Sequence, residues 1–199
     1  MGIKRLLVCD RDGFLNVDFW YVYEVEKFQI PDGVVESLQL LKEAGFTFCI
    51  ATGQSGIARG KYTVGDMQRF HDLLAQEYGK HGITFAAIAF CPHHPEVADC
   101  ECRKPKTGML DQIEEKLGPI DWTDAWGIGD KPADSKMILS KGGRAMLLKM
   151  GQHNPAAQSK PYWEETDPAI RSLLGNPRHF VANNALEAAR IIKIGRAHV

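Results

Sequence analysis

No hydrophobic run in the sequence approaches the roughly 20 residues that a bilayer-spanning helix needs. Residues 1 to 8 hold one short apolar stretch after Lys4 and Arg5, without the long apolar core and small-residue cleavage site of a secretory signal. The protein is therefore expected in the cytoplasm. An excess charge of either sign is also missing: 24 Lys and Arg stand against 25 Asp and Glu, for a net charge of -1. That excludes a broad polyanion-binding surface or an acidic tail, so affinity for phosphate must be local, and neither nucleic acid nor membrane is an expected partner. Cysteine is scarce and odd in number, five in all, with three crowded into Cys91 to Cys102. This argues for metal rather than a disulfide framework. Two nucleotide-binding signatures are absent as well. Three residues rather than four separate Gly56 from Gly60-Lys61, Tyr62 stands where a P-loop has Ser or Thr, and Gly127-x-Gly129 lacks the third glycine of a dinucleotide fingerprint.

What is present suits one globular domain: 199 residues, 44% hydrophobic and 25% charged. Leu6-Leu7-Val8-Cys9 is an apolar run of strand length that stops at Asp10, with Asp12 two residues on and then Gly13. Side chains two apart on extended chain share a face, so Asp10 and Asp12 can enter one crevice while Arg11 points away. An Asp-Gly turn closing a strand is the plainer alternative. Phe14 to Gln29 has no helical or alternating pattern and reads as a packed aromatic loop. A helix from Pro31-Asp32-Gly33 to Gly45 follows, with Val34, Val35, Leu38 and Leu41 inward. Phe46 to Ala51 is a second strand, leading into Thr52-Gly53-Gln54-Ser55-Gly56-Ile57-Ala58-Arg59-Gly60-Lys61. Hydroxyls, glycines and cations after a strand suit a phosphate, though glycine-rich surface loops are common.

Thr63 to Asp66 resembles a capping box. The helix it opens carries Met67, Phe70, Leu74 and Tyr78 inward, and His71 is read as a surface or boundary residue. Phe85 to Phe90 is a third strand, followed by Cys91-Pro92-His93-His94 and Cys100-Glu101-Cys102. Cys91, His93, Cys100 and Cys102 make a closed four-ligand set for a structural Zn²⁺. His94 is left as a neighbour, and Cys9 and Cys49 as core residues. The cysteine loop ends in Arg103-Lys104-Pro105, either fixed cations for a phosphoryl group or an exposed basic turn. Met109 to Leu117 is a helix, and Trp122 to Ile128 leads as a strand into Gly129-Asp130, before a helix start at Pro132. Arg144 to Leu148 and His179 to Val181 are further strands, with Leu186, Ala189 and Ile192 on a last helix. Met150 to Arg178 is polar and irregular. Ile194 to Val199 looks like a sequencing-adapter stretch read in frame, so the native chain is expected to diverge near Lys193.

Asp10, Thr52, Lys104 and Asp130 each stand just after an apolar strand or in the loop beyond it, in the order acid, hydroxyl, lysine, acid. This order resembles the haloacid dehalogenase (HAD) phosphatases. Over roughly residues 3 to 150, the stretches Asp10-Arg11-Asp12-Gly13, Gln54 to Gly60, Cys91 to Pro95, Cys100-x-Cys102-Arg103-Lys104-Pro105 and Gly129-Asp130-Lys131 resemble the D-glycero-D-manno-heptose 1,7-bisphosphate phosphatases. Histidinol-phosphate phosphatases share the first loop and the zinc set but usually differ after Gln54.

The resemblance implies an α/β, Rossmann-like three-layer fold over residues 1–193, with a mainly parallel sheet, a zinc-binding loop and no large cap domain. It implies a phosphomonoesterase acting on a small phosphorylated sugar, and the chain is separately expected to be a monomer. Mg²⁺ would sit on Asp10, the Asp12 carbonyl and Asp130. Asp10 would be the nucleophile and Asp12 the acid and base, with Thr52 and Lys104 holding the phosphoryl oxygens. Asp18, Phe19, Trp20, Tyr21, Gly53, Gln54, Ser55, Arg103 and Lys131 would contact substrate, with Asp134 in support. Three departures stand out, because the family usually has Thr at Phe14, Asn at Gly53 and His-Gly at Phe19-Trp20.

Overall fold

The structure is a computed structural model and describes residues 5–149 and 167–195. Six strands form one sheet: β1 (Leu6–Cys9), β2 (Thr47–Gly53), β3 (Phe85–Cys91), β4 (Trp126–Gly129), β5 (Arg144–Leu148) and β6 (His179–Ala182), in the order β3-β2-β1-β4-β5-β6. Every pairing is parallel. Parallel strands need crossovers, and these are supplied by α1 (Val34–Glu43), α2 (Val64–Gly79), α3 (Gly108–Leu117) and α4 (Pro132–Ser140). Two more helices follow, α5 (Pro168–Arg171) and α6 (Ala185–Ile194).

Both faces of the sheet are covered, which is why its strands read as unbroken apolar runs. Leu7 and Cys9 face one layer, where Leu38, Phe70, Leu74 and Ile192 bring in α1, α2 and α6. Leu6 and Val8 face the other, built from Met109 and Ile113 of α3 with Met137 and Ile138 of α4. The result is three layers with a fully buried first strand. Among the described residues there is no further folded unit over the sheet that would form a large cap.

The chain order along the sheet reverses between β1 and β4, and such a switch point opens a crevice at the carboxyl ends of the strands. The Asp10 amide donates to the Ile128 carbonyl at 2.9 Å, so the segments leaving β1 and β4 stay side by side. Asp10 and Asp130 therefore emerge at one place.

Local sequence signals account for most helix ends. Thr63 accepts from the Asp66 amide at 3.1 Å while Asp66 accepts from the Thr63 amide at 2.7 Å, a complete capping box. Gly45, at φ 82°, closes α1. Three expectations need correction. Trp122–Asp124 is a 3-10 turn and the strand begins only at Trp126, because the Asp121 side chain caps the Thr123 amide. The loop from Phe14 to Gln29 contains a 3-10 turn at Val25–Lys27 and is closed by a bond from the Val17 amide to the Gln29 carbonyl. His71 is buried on α2, not at the surface. Of the polar stretch after Met150, residues 150–166 lie outside the described residues, as do 196–199 of the expected foreign tail. Within the rest, Asp167 caps α5.

Gly127 serves packing rather than nucleotide binding, since a Cβ there would lie 2.8 Å from Ile138 Cβ on α4. Gly127→Ala is expected to push α4 off the sheet and lower stability by about 1–3 kcal/mol in urea denaturation. An unchanged midpoint would contradict so close an approach.

Candidate active site

The segment after β1 leaves the sheet and carries three buried polar side chains, Asp10, Arg11 and Asn16. Gly13, at φ +94°, turns it, and a Cβ there would come within 2.7 Å of Asp130 Oδ2. Only glycine allows Asp130 so near the chain that bears Asp10. One carboxylate oxygen from each of Asp10, Asp130 and Asp134 lies within 4.8 Å of the others, and all three residues are buried. Lys104 reaches in from the loop before α3, with Nζ 2.9 Å from Asp10 Oδ1 and 2.6 Å from Asp134 Oδ1. Lys131 Nζ stands 3.9 Å from Asp130 Oδ1 and 3.6 Å from Asp18 Oδ2.

Burial, reinforced by Asp134, pushes the Asp10 carboxyl above its ordinary pKa despite the opposing pull of Lys104. Burial also acts to discharge Lys104, but Asp10 and Asp134 outweigh it and hold the ammonium well above its ordinary value. Three buried carboxylates facing two ammonium groups form a set of hard oxygen donors with negative charge to spare. Such a set fits a hard divalent cation.

Asp12 belongs to a separate net. Arg11 donates to it twice, Nε to Oδ1 at 3.0 Å and Nη2 to Oδ2 at 2.9 Å. Asn16 and Gln54 each add a donor at 3.0 Å. Burial alone would raise the Asp12 pKa, but the Arg11 guanidinium and the hydrogen bonds from Arg11 and Asn16 outweigh it and lower the pKa from its ordinary value. Gln54 also donates to Thr52 Oγ1 at 2.9 Å and accepts from Tyr62 at 2.7 Å, so it ties the end of β2 to the loop of Asp12.

Above these groups opens a cavity of about 430 Å³. Asp10, Asp12, Thr52 and Lys104 form its floor, and Asp18, Trp20, Tyr21, Gly53, Ser55, Arg103 and Lys131 line it. Two expected contacts sit elsewhere. Phe19 packs against the apolar core instead of entering the cavity, and Gln54 lies beneath the surface, holding Asp12 and Thr52. Asp134, expected only in support, is a full member of the acid cluster. Arg59, one of the cations expected to suit a phosphate, also reaches the cavity, as do Tyr62 and His94, which the sequence did not point to as contacts. Arg59 Nη2 lies 2.7 Å from His94 Nε2 and donates to Glu96 at 3.1 Å, which draws the glycine-rich loop onto the cysteine loop.

Cys91, His93, Cys100 and Cys102 converge beside the cavity, their ligand atoms all within 4.8 Å of one another. Cys91 Sγ lies 3.6 Å from Cys100 Sγ, and His93 Nδ1 lies 3.2 Å from Cys102 Sγ. Tetrahedral Zn²⁺, with bonds of about 2.0–2.3 Å, needs its ligand atoms roughly 3.3–3.8 Å apart. The cluster is therefore compatible with zinc. Arg103, next to Cys102, donates to the His93 carbonyl at 3.2 Å, so the cluster fixes the loop that presents Lys104.

A family model described as polynucleotide kinase 3 phosphatase matches residues 16–143. The D-glycero-beta-D-manno-heptose-1,7-bisphosphate 7-phosphatase of Pasteurella multocida (strain Pm70) is 38% identical over 158 residues, 75% of this chain and 84% of that one. The protein of the same name from Escherichia coli (strain K12) is 34% identical, covering 79% and 86%. The chain belongs to the heptose bisphosphate phosphatases and to the family that this model describes. It is therefore a phosphatase. The crystal structure of D,D-heptose 1.7-bisphosphate phosphatase from B. bronchiseptica, complexed with magnesium and phosphate, superimposes with a TM-score of 0.75 at 25% identity, covering 94% of this chain and 96% of that one. The fold is accordingly that of the HAD phosphatases.

Behind the site, burial first and Arg11 second push the His71 pKa down to about 4 from an ordinary 6.5. The unfolded chain thus takes up a proton at His71 before the folded one does. Stability from this group is complete above pH 6.5 and is lost as pH falls toward 4, by at most about 3 kcal/mol at 1.36 kcal/mol per unit. Urea denaturation at pH 7.5 and pH 4.5 is expected to show a smaller acid loss for His71→Gln than for the native chain. Equal losses would contradict the buried, neutral imidazole.

Proposed function

We propose that the enzyme removes one phosphate from a heptose 1,7-bisphosphate through an aspartyl phosphate on Asp10. The observation that carries this reading is the convergence of Asp10, Lys104 and Asp130 at the sheet's switch point, beneath a cavity that Asp12 and Thr52 also line. The substrate is that of the named relatives, and the B. bronchiseptica structure holds magnesium and phosphate. Asp10, Asp130 and the Asp12 carbonyl would hold Mg²⁺, which when bound offsets the negative charge of carboxylates and phosphate.

The steps follow from the residues. An Asp10 oxygen attacks phosphorus, and the bond from phosphorus to the sugar oxygen breaks. Lys104 and Thr52 donate to the phosphoryl oxygens as charge builds on them. The leaving oxygen takes its proton from Asp12, whose protonated form is favoured while the negative phosphate lies beside it. Asp12, now anionic, draws a proton from water as that water attacks phosphorus, and Asp10 is released unchanged. Arg11, Asn16 and Gln54 favour the anion that this second half requires. Trp20, Tyr21, Ser55, Arg103 and Lys131 meet the rest of the substrate, and Cys91, His93, Cys100 and Cys102 hold a structural Zn²⁺.

Phosphate release from heptose 1,7-bisphosphate with Mg²⁺ is expected to exceed release from histidinol phosphate by at least about tenfold. The reverse preference would move the enzyme to histidinol phosphate. Asp10→Asn should reduce release to background while retaining the native circular dichroism spectrum and about one zinc per chain after mild dialysis. Full activity in that variant would reject Asp10 as nucleophile. A fully active preparation free of zinc would reject the structural metal.

A further inference from the structure

Arg11, which stands in sequence between the two working carboxylates, is wholly buried. A buried guanidinium persists only where its donors are met and its plane is packed. Its Nε and Nη2 clasp Asp12, and Nη2 donates also to the Val22 carbonyl at 2.7 Å. Its carbon lies 4.7 Å from the centre of the Phe70 ring. The remaining terminal nitrogen, Nη1, is 3.2 Å from His71 Nε2. Arginine has no acceptor, so Nε2 must be the unprotonated nitrogen and the proton must reside on Nδ1. His71 is 2% exposed, and its low pKa keeps the ring in this neutral, accepting form.

α2 thus supports the guanidinium from two sides with adjacent residues, a ring against its plane and an acceptor at its edge. Met67, Phe70, His71, Leu74 and Tyr78 form the buried stripe of that helix. Neither residue of the pair reaches the cavity.

We infer that His71 is a positioning residue for Asp12, acting through the Arg11 guanidinium. A fork bonded at both ends fixes the plane of the carboxylate, and proton transfer to the leaving oxygen depends on that plane. Without the acceptor at Nη1 the fork can rotate, and the Asp12 oxygens turn with it. The inference rests on the acid and base role proposed for Asp12.

The test compares His71→Gln, whose amide oxygen can accept from Nη1, with His71→Leu, which cannot. With heptose 1,7-bisphosphate, His71→Leu is expected to lower kcat by about 10–100-fold with KM within threefold, and His71→Gln to stay within about threefold of the native kcat. The leaving group separates orientation of Asp12 from general loosening. With 4-nitrophenyl phosphate, whose leaving group needs no proton, His71→Leu should give an undiminished burst of nitrophenol and then slow turnover, because only the hydrolytic half still needs Asp12. Equal kcat losses in both variants, or a burst reduced in step with kcat, would reduce His71 to a packing residue and overturn the inference. If His71→Leu does not fold, Arg11→Lys replaces it, keeping the charge but not the fork, with the same two outcomes. Asp12→Asn is the control, expected to show the same burst and slow phase. A fully active Asp12→Asn would instead reject the role of Asp12 itself.

Discussion

One ammonium group holds the site in its working shape. Lys104 Nζ touches Asp10 and Asp134 at once, and both carboxylates are as buried as the lysine itself. Removing one partner from such a pair typically costs about 3–5 kcal/mol, because a buried charge is left without its counterpart. The elements around it make that arrangement possible. The parallel sheet brings β1 and β4 together, so Asp10 and Asp130 share one crevice. Lys104 arrives from a different direction, on a loop fixed by the cysteine and histidine cluster.

The site divides into two electrostatic halves. Asp10, Asp130 and Asp134 share Lys104 and Lys131 and retain negative charge, which suits a cation. Asp12 has a guanidinium to itself and two further donors, which suits a group that must point one way. Two carboxylates separated by a single residue thus have opposite pKa tendencies, Asp10 upward and Asp12 downward.

Much of this was legible because it is periodic or local. The run Leu6 to Cys9 reads as a strand, Thr63-x-x-Asp66 as a cap, and the spacing of Cys91, His93, Cys100 and Cys102 as one cluster. His71 was misread although the helical spacing of Met67, His71, Leu74 and Tyr78 places it on the inward face. Its polarity suggested solvent, whereas its partner, Arg11, is 60 residues away in sequence. Distance along the chain also hid the contact of Arg59 with His94 and Glu96. Phe19 could not be told from Trp20 by residue type. Trp20 and Tyr21 take positive φ, and the turn that results sends Phe19 to the core and the next two rings to the cavity. The partnership of Lys104 with Asp134 was equally unreadable, since it depends on how α4 sits against β4.

The central claim is that phosphorus passes to the chain at Asp10, and trapping the phosphorylated enzyme tests it most directly. Enzyme turning over 32P-labelled heptose bisphosphate with Mg²⁺ is quenched in acid and its peptides are mapped. The account predicts label on the peptide that carries Asp10. Label on a peptide bearing a histidine, or label persisting in an Asp10→Asn enzyme, would contradict it.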